Sequence, residues 1–198
     1  MKLDFFIYII YNILFQYINL INIKKKNLYK LNEIIFYFKQ YIILYNSIKI
    51  LKKNSLCQFQ ILNDICVIDN PINVIRFSLI YNLFSIIFNI RIFLKIFITE
   101  VNYLESINNL YRNSVWLERE VWDMFGIFFY NNIDLRRLLS DYGFDGYPLR
   151  KDFPLTGYIE LRYNDSLSSL YYEPVELTQD YRLFTFNSPW EYIEKNNI

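Results

Sequence analysis

Two successive segments in the middle of the chain alternate apolar and polar side chains with the period of a β-strand. They cover residues 74–85 and 89–98, and Phe88 and Asn89 lie at their junction. The side chains that share one face are Phe77, Leu79, Tyr81 and Leu83 in the first segment and Ile90, Ile92, Leu94 and Ile96 in the second, with Arg91 and Lys95 opposite. Because alternate residues of a strand lie on opposite faces, this pattern predicts an antiparallel hairpin with one buried face.

The flanking sequence adds further strands and helices. Residues 33–38 and 56–68 are short apolar segments typical of strands, and Asp69-Asn70-Pro71 closes the second as a turn. Residues 41–53 predict a helix with a basic end, and residues 100–110 predict another, with Thr99 as its cap. The predicted fold class is α+β: residues 1–115 form a two-layer domain with one mostly antiparallel sheet and packed helices.

Residues 5–23 carry no charge, so the segment could form either a membrane-spanning helix or a packed amphipathic helix. Four amides within this segment favour the packed helix, because amides are costly in hydrocarbon. They are Asn12, Gln16, Asn19 and Asn22. The following Lys24-Lys25-Lys26 fits either a membrane flank or a solvated turn. The segment lacks the small-residue cleavage site of a secretory signal peptide, which argues against such a signal.

Composition excludes several kinds of chemistry. The 198 residues include no histidine, which removes the usual metal ligand, general base and pH-sensitive group. Cys57 and Cys66 are too few for an iron–sulfur cluster, and we expect both to be buried thiols. A formal charge of +1 argues against a nucleic-acid groove. The absence of alanine and the abundance of Ile, Phe, Tyr, Asn and Lys indicate drift in an A+T-rich genome.

Residues 116–163 retain Gly, Pro, Trp, Arg and Asp despite such drift. We expect that their function requires these residue types. The segment begins with a predicted short helix, in which Leu117, Val121 and Met124 face the core and Gly126 ends the helix in a left-handed conformation. Gly143 and Gly146 lack the spacing of a phosphate-binding loop and predict a tight turn.

Charged residues of both signs alternate closely in this segment. The candidate site residues are Glu118, Arg119, Glu120, Asp123, Asp134, Arg136, Arg137, Asp141, Arg150, Lys151 and Asp152. Arg119 and Asp123 are four apart on the predicted helix, a spacing at which they can pair. We interpret the set as a salt-bridged cluster or polar subunit interface, because structural ion-pair networks are commoner than catalytic acid pairs. An enzyme that uses the carboxylates of Glu118, Glu120 and Asp123 is the alternative.

Residues 164–198 carry an excess of acidic side chains and are interrupted by Pro174 and Pro189. They predict an extended C-terminal arm rather than a further domain. The predicted organisation is therefore an α+β domain over residues 1–115, an irregular charged and aromatic segment over residues 116–163, and the arm.

The charged segment resembles the signature of the 30-kDa subunit of respiratory complex I, the proton-pumping NADH:ubiquinone oxidoreductase, a subunit often encoded in mitochondrial DNA as subunit nine. The matching elements are Glu118-Arg119-Glu120, Trp122-Asp123-Met124-Phe125-Gly126, Asp134-Leu135-Arg136-Arg137, Asp141-Tyr142-Gly143-Phe144, the run from Pro148 to Leu155, Gly157-Tyr158, Glu173-Pro174 and Ser188-Pro189-Trp190-Glu191. Upstream, residues 64–69, Arg76-Phe77 and Tyr81-Asn82-Leu83 also fit, so the resemblance covers residues 33–191. Asn132, Ile133 and Tyr147 depart from it, since the family usually has histidine, proline and histidine there.

The resemblance implies a non-redox structural subunit in the peripheral arm of complex I. Similar subunits lie beside the 49-kDa quinone-site subunit, with the C-terminal arm along it, on the matrix side of the mitochondrial inner membrane. They bind no cofactor: flavin, iron–sulfur clusters and ubiquinone belong to neighbouring subunits. The resemblance also favours a packed helix over residues 5–23. A membrane-anchored adaptor held by residues 5–23 and a stand-alone carboxylate enzyme are the alternatives.

Overall fold

The computed structural model describes residues 21–28, 31–38 and 42–186. It divides into two units, one ending at Leu155 and one beginning at Thr156. The prediction for residues 5–23 lies outside the described residues, except that residues 21–23 begin the first strand. No helix among the described residues is long and apolar enough to cross a membrane. The boundaries at residues 115 and 163 stay predictions.

The first unit is built on a five-stranded mixed sheet. Its strands are β1 (Ile21–Leu28), β2 (Leu31–Phe38), β3 (Ile61–Asp69), β4 (Phe77–Ser85) and β5 (Ile90–Ile98). They lie in the order β1-β2-β5-β4-β3, and every neighbouring pair is antiparallel except β2 and β5. With two described helices beside this sheet, the predicted α+β class is confirmed.

The hairpin at the centre of the sheet forms where the alternation predicts it. β4 and β5 pair antiparallel from Phe77 opposite Ile98 to Ser85 opposite Ile90, and Asn89 takes a positive φ of 50° in the turn. The fully buried side chains are Phe77, Leu79, Tyr81, Leu83, Ile92, Leu94, Ile96 and Ile98. Asn tolerates the left-handed conformation that this connection needs, so the turn follows from local chemistry.

The first described helix, α1 (Ile42–Lys53), covers part of this buried face. Leu44, Ile48 and Leu51 recur at the spacing of one helical face, and all three are buried. The helix ends in Lys52 and Lys53, as predicted, where cations interact favourably with the helix dipole.

A bulge in β3 overturns one prediction about the cysteines. The register between β3 and β4 shifts between Leu62 and Asp64, so Leu62 and Ile65 both face the core. A change of one residue moves every later side chain to the opposite face. Cys66 is therefore exposed, against the prediction, whereas Cys57 is buried as expected.

The predicted helix over residues 100–110 is wrong. This stretch instead forms a short strand, β6 (Leu104–Glu105), which runs parallel to β7 (Phe129–Tyr130). The main-chain N–H groups of Leu104 and Ser106 donate to the carbonyl oxygens of Phe128 and Tyr130, at 3.0 and 2.8 Å. These long-range bonds replace the local ones that a helix would make, so tertiary contacts override local propensity. The second described helix, α2 (Ser114–Phe125), starts ten residues beyond Leu104.

The second unit contains a β-hairpin that the sequence does not predict. Its strands are β8 (Ile159–Asn164) and β9 (Ser169–Pro174), paired antiparallel from Ile159 opposite Pro174 to Asn164 opposite Ser169. Ser168, in the turn, has a positive φ of 49°. The arm predicted from residue 164 onward therefore begins as the second half of a hairpin.

Candidate functional site

Helix α2 places two carboxylates inside the first unit. Glu118 and Asp123 have no exposed side-chain surface, and Val121 is also buried on this helix. Leu117 and Met124, which were expected to face the core with Val121, are only half-buried. The helix ends at Gly126, whose φ of 73° and N–H bond to the carbonyl oxygen of Trp122 confirm the predicted left-handed end.

Glu118 joins α2 to two other stretches of chain. Its Oε2 accepts hydrogen bonds from Ser106 Oγ at 2.5 Å and Asn132 Nδ2 at 2.7 Å, and its Oε1 accepts from the main-chain N–H of Ile107 at 2.9 Å. Burial raises the pKa of this carboxyl, and its hydrogen-bond donors offset only part of that effect. Asn132 is thus a direct partner of a buried acid.

Asp123 is enclosed by the loop that follows β7. Its Oδ2 accepts three consecutive main-chain N–H groups, from Leu138, Leu139 and Ser140, at 2.6–3.0 Å. Its Oδ1 accepts from Ser140 Oγ at 2.5 Å and lies 3.4 Å from Arg137 Nη1. Burial alone would raise the pKa of this carboxyl, but the donors outweigh it and the pKa lies below the usual range. Successive N–H groups arranged in this way form a concave site for an anion.

Helical spacing allows Arg119 to pair with Asp123, but Asp123 is enclosed by the loop donors and Arg119 contacts other groups. Arg119 Nε instead donates to the carbonyl oxygen of Arg136 at 3.0 Å, and its Nη1 lies 3.9 Å from Asp134 Oδ2. Asp134 pairs mainly with Arg136, at 2.8 Å. That second pair is solvent-exposed on the arginine side, so it contributes little to stability.

Two arginines pack against the ring of Tyr147. The guanidinium carbons of Arg137 and Arg150 lie 5.2 and 4.6 Å from the ring centroid. Arg137 Nη1 donates to the carbonyl oxygen of Gly146 at 3.0 Å, and Arg150 Nε donates to that of Phe125 at 2.6 Å. Arg150 is therefore held by the end of α2 and by aromatic rings.

A second ionic cluster, centred on Arg76, is one that the sequence does not predict as a site. Arg76 makes a two-bond contact with Asp69, at 2.6 and 2.8 Å, and also contacts Asp152 at 2.8 Å and Glu100. Its hydrogen bonds to Asp69 are the main cause that lowers the pKa of that carboxyl. The main-chain N–H of Lys151 donates to Asp69 Oδ2 at 2.8 Å. The signal was an arginine retained in a lysine-rich chain and seven residues from an aspartate.

Five of the candidate site residues are exposed: Glu120, Arg136, Asp141, Lys151 and Asp152. Glu120 is exposed on α2, and Asp141 is exposed in its loop, where its Oδ1 accepts the N–H of Tyr142 at 2.8 Å. Among the described residues, no group of three or more Cys, Asp or Glu side chains is arranged to hold a metal ion. The arrangement therefore fixes loops: Glu118, Asp123 and Arg76 each join two or three stretches that are distant in sequence.

Gly126 and Gly143 offer a matched test of the contact between α2 and Tyr147. Both have a φ near 74°, but a Cβ on Gly126 would lie 2.6 Å from the Tyr147 ring, whereas nothing lies within 4 Å of one on Gly143. We expect Gly143→Ala to cost about 1–2 kcal/mol from backbone strain. Gly126→Ala should cost ~1–3 kcal/mol more, from overpacking. Urea unfolding of both variants measures the difference, and equal losses would contradict the close packing.

The two buried carboxylates should give stability opposite dependences on pH. Because the pKa of Glu118 is raised on folding, the unfolded chain loses this proton first, and stability falls as the pH rises above about 4.5. Because the pKa of Asp123 is lowered, its contribution is present above about 3.8 and is lost as the pH falls through the folded value. Relative to Glu118→Gln the wild-type protein should therefore weaken as pH rises, and relative to Asp123→Asn it should strengthen. Denaturation midpoints of the wild-type protein and both variants, measured above pH 4.5 for Glu118 and below pH 3.8 for Asp123, give the two pH dependences. Dependences of the same sign would refute the opposite pKa shifts of the two carboxyls.

The chain matches a known protein family, and it is similar to known proteins and to a solved structure. Residues 43–159 match the family model described as respiratory-chain NADH dehydrogenase, 30 Kd subunit. The chain is 56% identical over 150 residues to NADH-ubiquinone oxidoreductase subunit 9 of Acanthamoeba castellanii, covering 76% of each chain. It is 51% identical over 152 residues to the protein of the same name in Reclinomonas americana, covering 76% of this chain and 74% of that one.

A protein of Beta trigyna named NADH dehydrogenase [ubiquinone] iron-sulfur protein 3 is 49% identical over 148 residues, covering 75% of this chain and 77% of the relative. A chain in the structure of the membrane-bound sulfane sulfur reductase, an archaeal respiratory membrane complex, shares the fold, with a TM-score of 0.61 and 22% identity. The alignment covers 74% of this chain and 84% of the archaeal one. The family match and the sequence identities together show that the chain belongs to the family of the 30-kDa subunit of respiratory-chain NADH dehydrogenase, the NADH:ubiquinone oxidoreductase known as complex I.

Proposed function

We propose that this chain is a non-redox structural subunit of the peripheral arm of complex I, which packs against the 49-kDa quinone-site subunit and positions it. The observation that carries this proposal is the distribution of side chains on the hairpin of β8 and β9. Strand alternation and the cross-strand register divide its residues into one apolar and one polar face. The apolar face comprises Ile159, Leu161, Tyr163, Leu170, Tyr172 and Pro174.

The apolar face is open although its residues are large. Ile159, Leu161 and Leu170 expose 64%, 53% and 65% of their surface. The opposite face carries the ion pair of Arg162 with Glu173, at 2.7 Å. A two-stranded hairpin alone is marginal in water, and it becomes stable when its apolar face packs on another element. A partner surface that covers this face therefore stabilises the hairpin as it binds.

The charged site supports a structural role as well. The buried carboxylates of Glu118 and Asp123 accept hydrogen bonds from the chain's own donors, and these bonds fix loops around α2. A general acid or base must present its proton to a substrate. In this proposal the flavin, the iron–sulfur clusters and ubiquinone are bound by other subunits, and NADH oxidation and quinone reduction take place there.

The proposed location is the matrix side of the mitochondrial inner membrane. The relatives of Acanthamoeba castellanii and Reclinomonas americana support the mitochondrion. The codon bias inferred from the absent alanine adds the expectation of an A+T-rich mitochondrial genome. The chain reaches the membrane, in this proposal, through its partner subunits.

Leu170 and Tyr171 are neighbours on opposite faces of the hairpin, with 65% and 55% of their surface exposed, and they make a matched pair. We expect Leu170→Asp to reduce incorporation of the subunit into complex I by about tenfold or more, because a charge enters the buried side of the contact. Tyr171→Asp should leave incorporation near wild-type. Native gels and quantitative mass spectrometry of the purified complex measure this, and equal incorporation of the two variants would refute the docking face.

A further inference from the structure

One end of the five-stranded sheet carries three aliphatic side chains that are almost fully exposed. Ile72 and Val74 lie in the turn from β3 to β4, and Val101 follows β5; their exposed fractions are 98%, 94% and 90%. Asp69 pairs with Phe77, and Phe77 pairs with Ile98, so the turn and the chain after β5 leave the sheet at the same end. We call these three residues the apolar end of the sheet.

Arg76 and its partners hold the base of this apolar end. The main-chain N–H of Asn70 donates to the carbonyl oxygen of Arg76 at 3.0 Å, which closes the turn. The side chain of Arg76, only 12% exposed, contacts Asp69 beside the turn, Glu100 next to Val101, and Asp152. An apolar surface fixed in advance loses little conformational entropy when it binds, which favours a docking role over a flexible loop.

The charges around the apolar end have one sign in excess. Three carboxylates meet the single guanidinium of Arg76, and two of them remain accessible: Glu100 is 47% exposed and Asp152 is 58% exposed. The side chain of Lys151 is also exposed and balances part of this charge. These charges sum to −1, from three carboxylates against Arg76 and Lys151, so the border of the apolar surface is weakly acidic. Such a border matches a cationic border on a protein partner better than it matches an anionic lipid surface or a nucleic acid.

We propose that the apolar end is a second docking point on another subunit of the same complex, where Ile72, Val74 and Val101 enter an apolar pocket bordered by Lys or Arg side chains. Aliphatic side chains in a pocket supply the affinity, and the charge border selects the partner and its orientation. This inference rests on the proposed role as an assembled subunit, but it concerns the first unit of the chain, whereas the hairpin belongs to the second.

The chain supplies its own control at the opposite end of the sheet. Ile86 and Ile87, in the turn between β4 and β5, are 57% and 62% exposed and also lie outside the strands. The double variants Ile72→Asp/Val74→Asp and Ile86→Asp/Ile87→Asp thus add the same charges at two apolar turns. Because all four side chains are exposed, both variants should unfold at wild-type temperatures, which thermal unfolding checks.

Purification of whole complex I from cells that express each variant tests the proposal. We expect Ile72→Asp/Val74→Asp to reduce the incorporated subunit by about tenfold and Ile86→Asp/Ile87→Asp to change it less than twofold. A photo-reactive residue at Val101 should cross-link to another subunit of the complex within a few residues of Lys or Arg. Normal incorporation of the first variant, or a cross-link to lipid or to a second copy of the chain, would overturn the proposal. If Leu170→Asp fails to assemble while Ile72→Asp/Val74→Asp assembles normally, the assembly role stands and only this second docking point is wrong.

Discussion

The carboxylate of Asp123 accepts three consecutive main-chain N–H groups and the hydroxyl of Ser140, and much of the segment after α2 depends on this contact. A loop of this kind has many main-chain donors and few neighbours from regular structure to satisfy them. A buried carboxylate satisfies several at once, and removal of such a partner costs about 1–3 kcal/mol for each donor left without one. Arg137 and Arg150 then pack on Tyr147 beside the end of α2.

These contacts direct charge inward and leave apolar surface outward. Three carboxylates, which are usually exposed to water, are buried inside the first unit and accept hydrogen bonds from the chain itself. They are Glu118, Asp123 and Asp69. By contrast, the apolar face of the hairpin and the apolar end of the sheet are open. A buried acid can retain its charge only where its hydrogen bonds are complete, so such sites specify one loop conformation. This use of charge fits the proposed role of a subunit that presents fixed surfaces to its neighbours.

The sequence predicts the elements whose signals are local. Alternation predicts β4, β5 and their turn, helical spacing predicts α1, and Gly126 predicts the end of α2. Prediction from the sequence fails where contacts between residues distant in the chain determine the local structure. The bulge after Leu62 turns Cys66 outward, and the long-range bonds of Leu104 and Ser106 replace a helix. The candidate site shows the same contrast between local and long-range signals. The clustering of charged residues in the sequence predicts its members. The partners of Arg119 and Arg150 are main-chain carbonyl groups whose positions depend on how the loops fold, which residue spacing does not predict.

The central claim is that the charged site maintains structure and does no chemistry, and Arg137 tests it most directly. Its guanidinium links the buried Asp123, the carbonyl oxygen of Gly146 and the Tyr147 ring. The decisive measurement is the ratio of NADH:ubiquinone reductase activity to the amount of assembled complex I in Arg137→Ala. The account predicts less assembled complex with an unchanged ratio, because the loops around α2 lose their support while the redox subunits keep theirs. A variant complex that assembles in normal amount and has lost its turnover would contradict it.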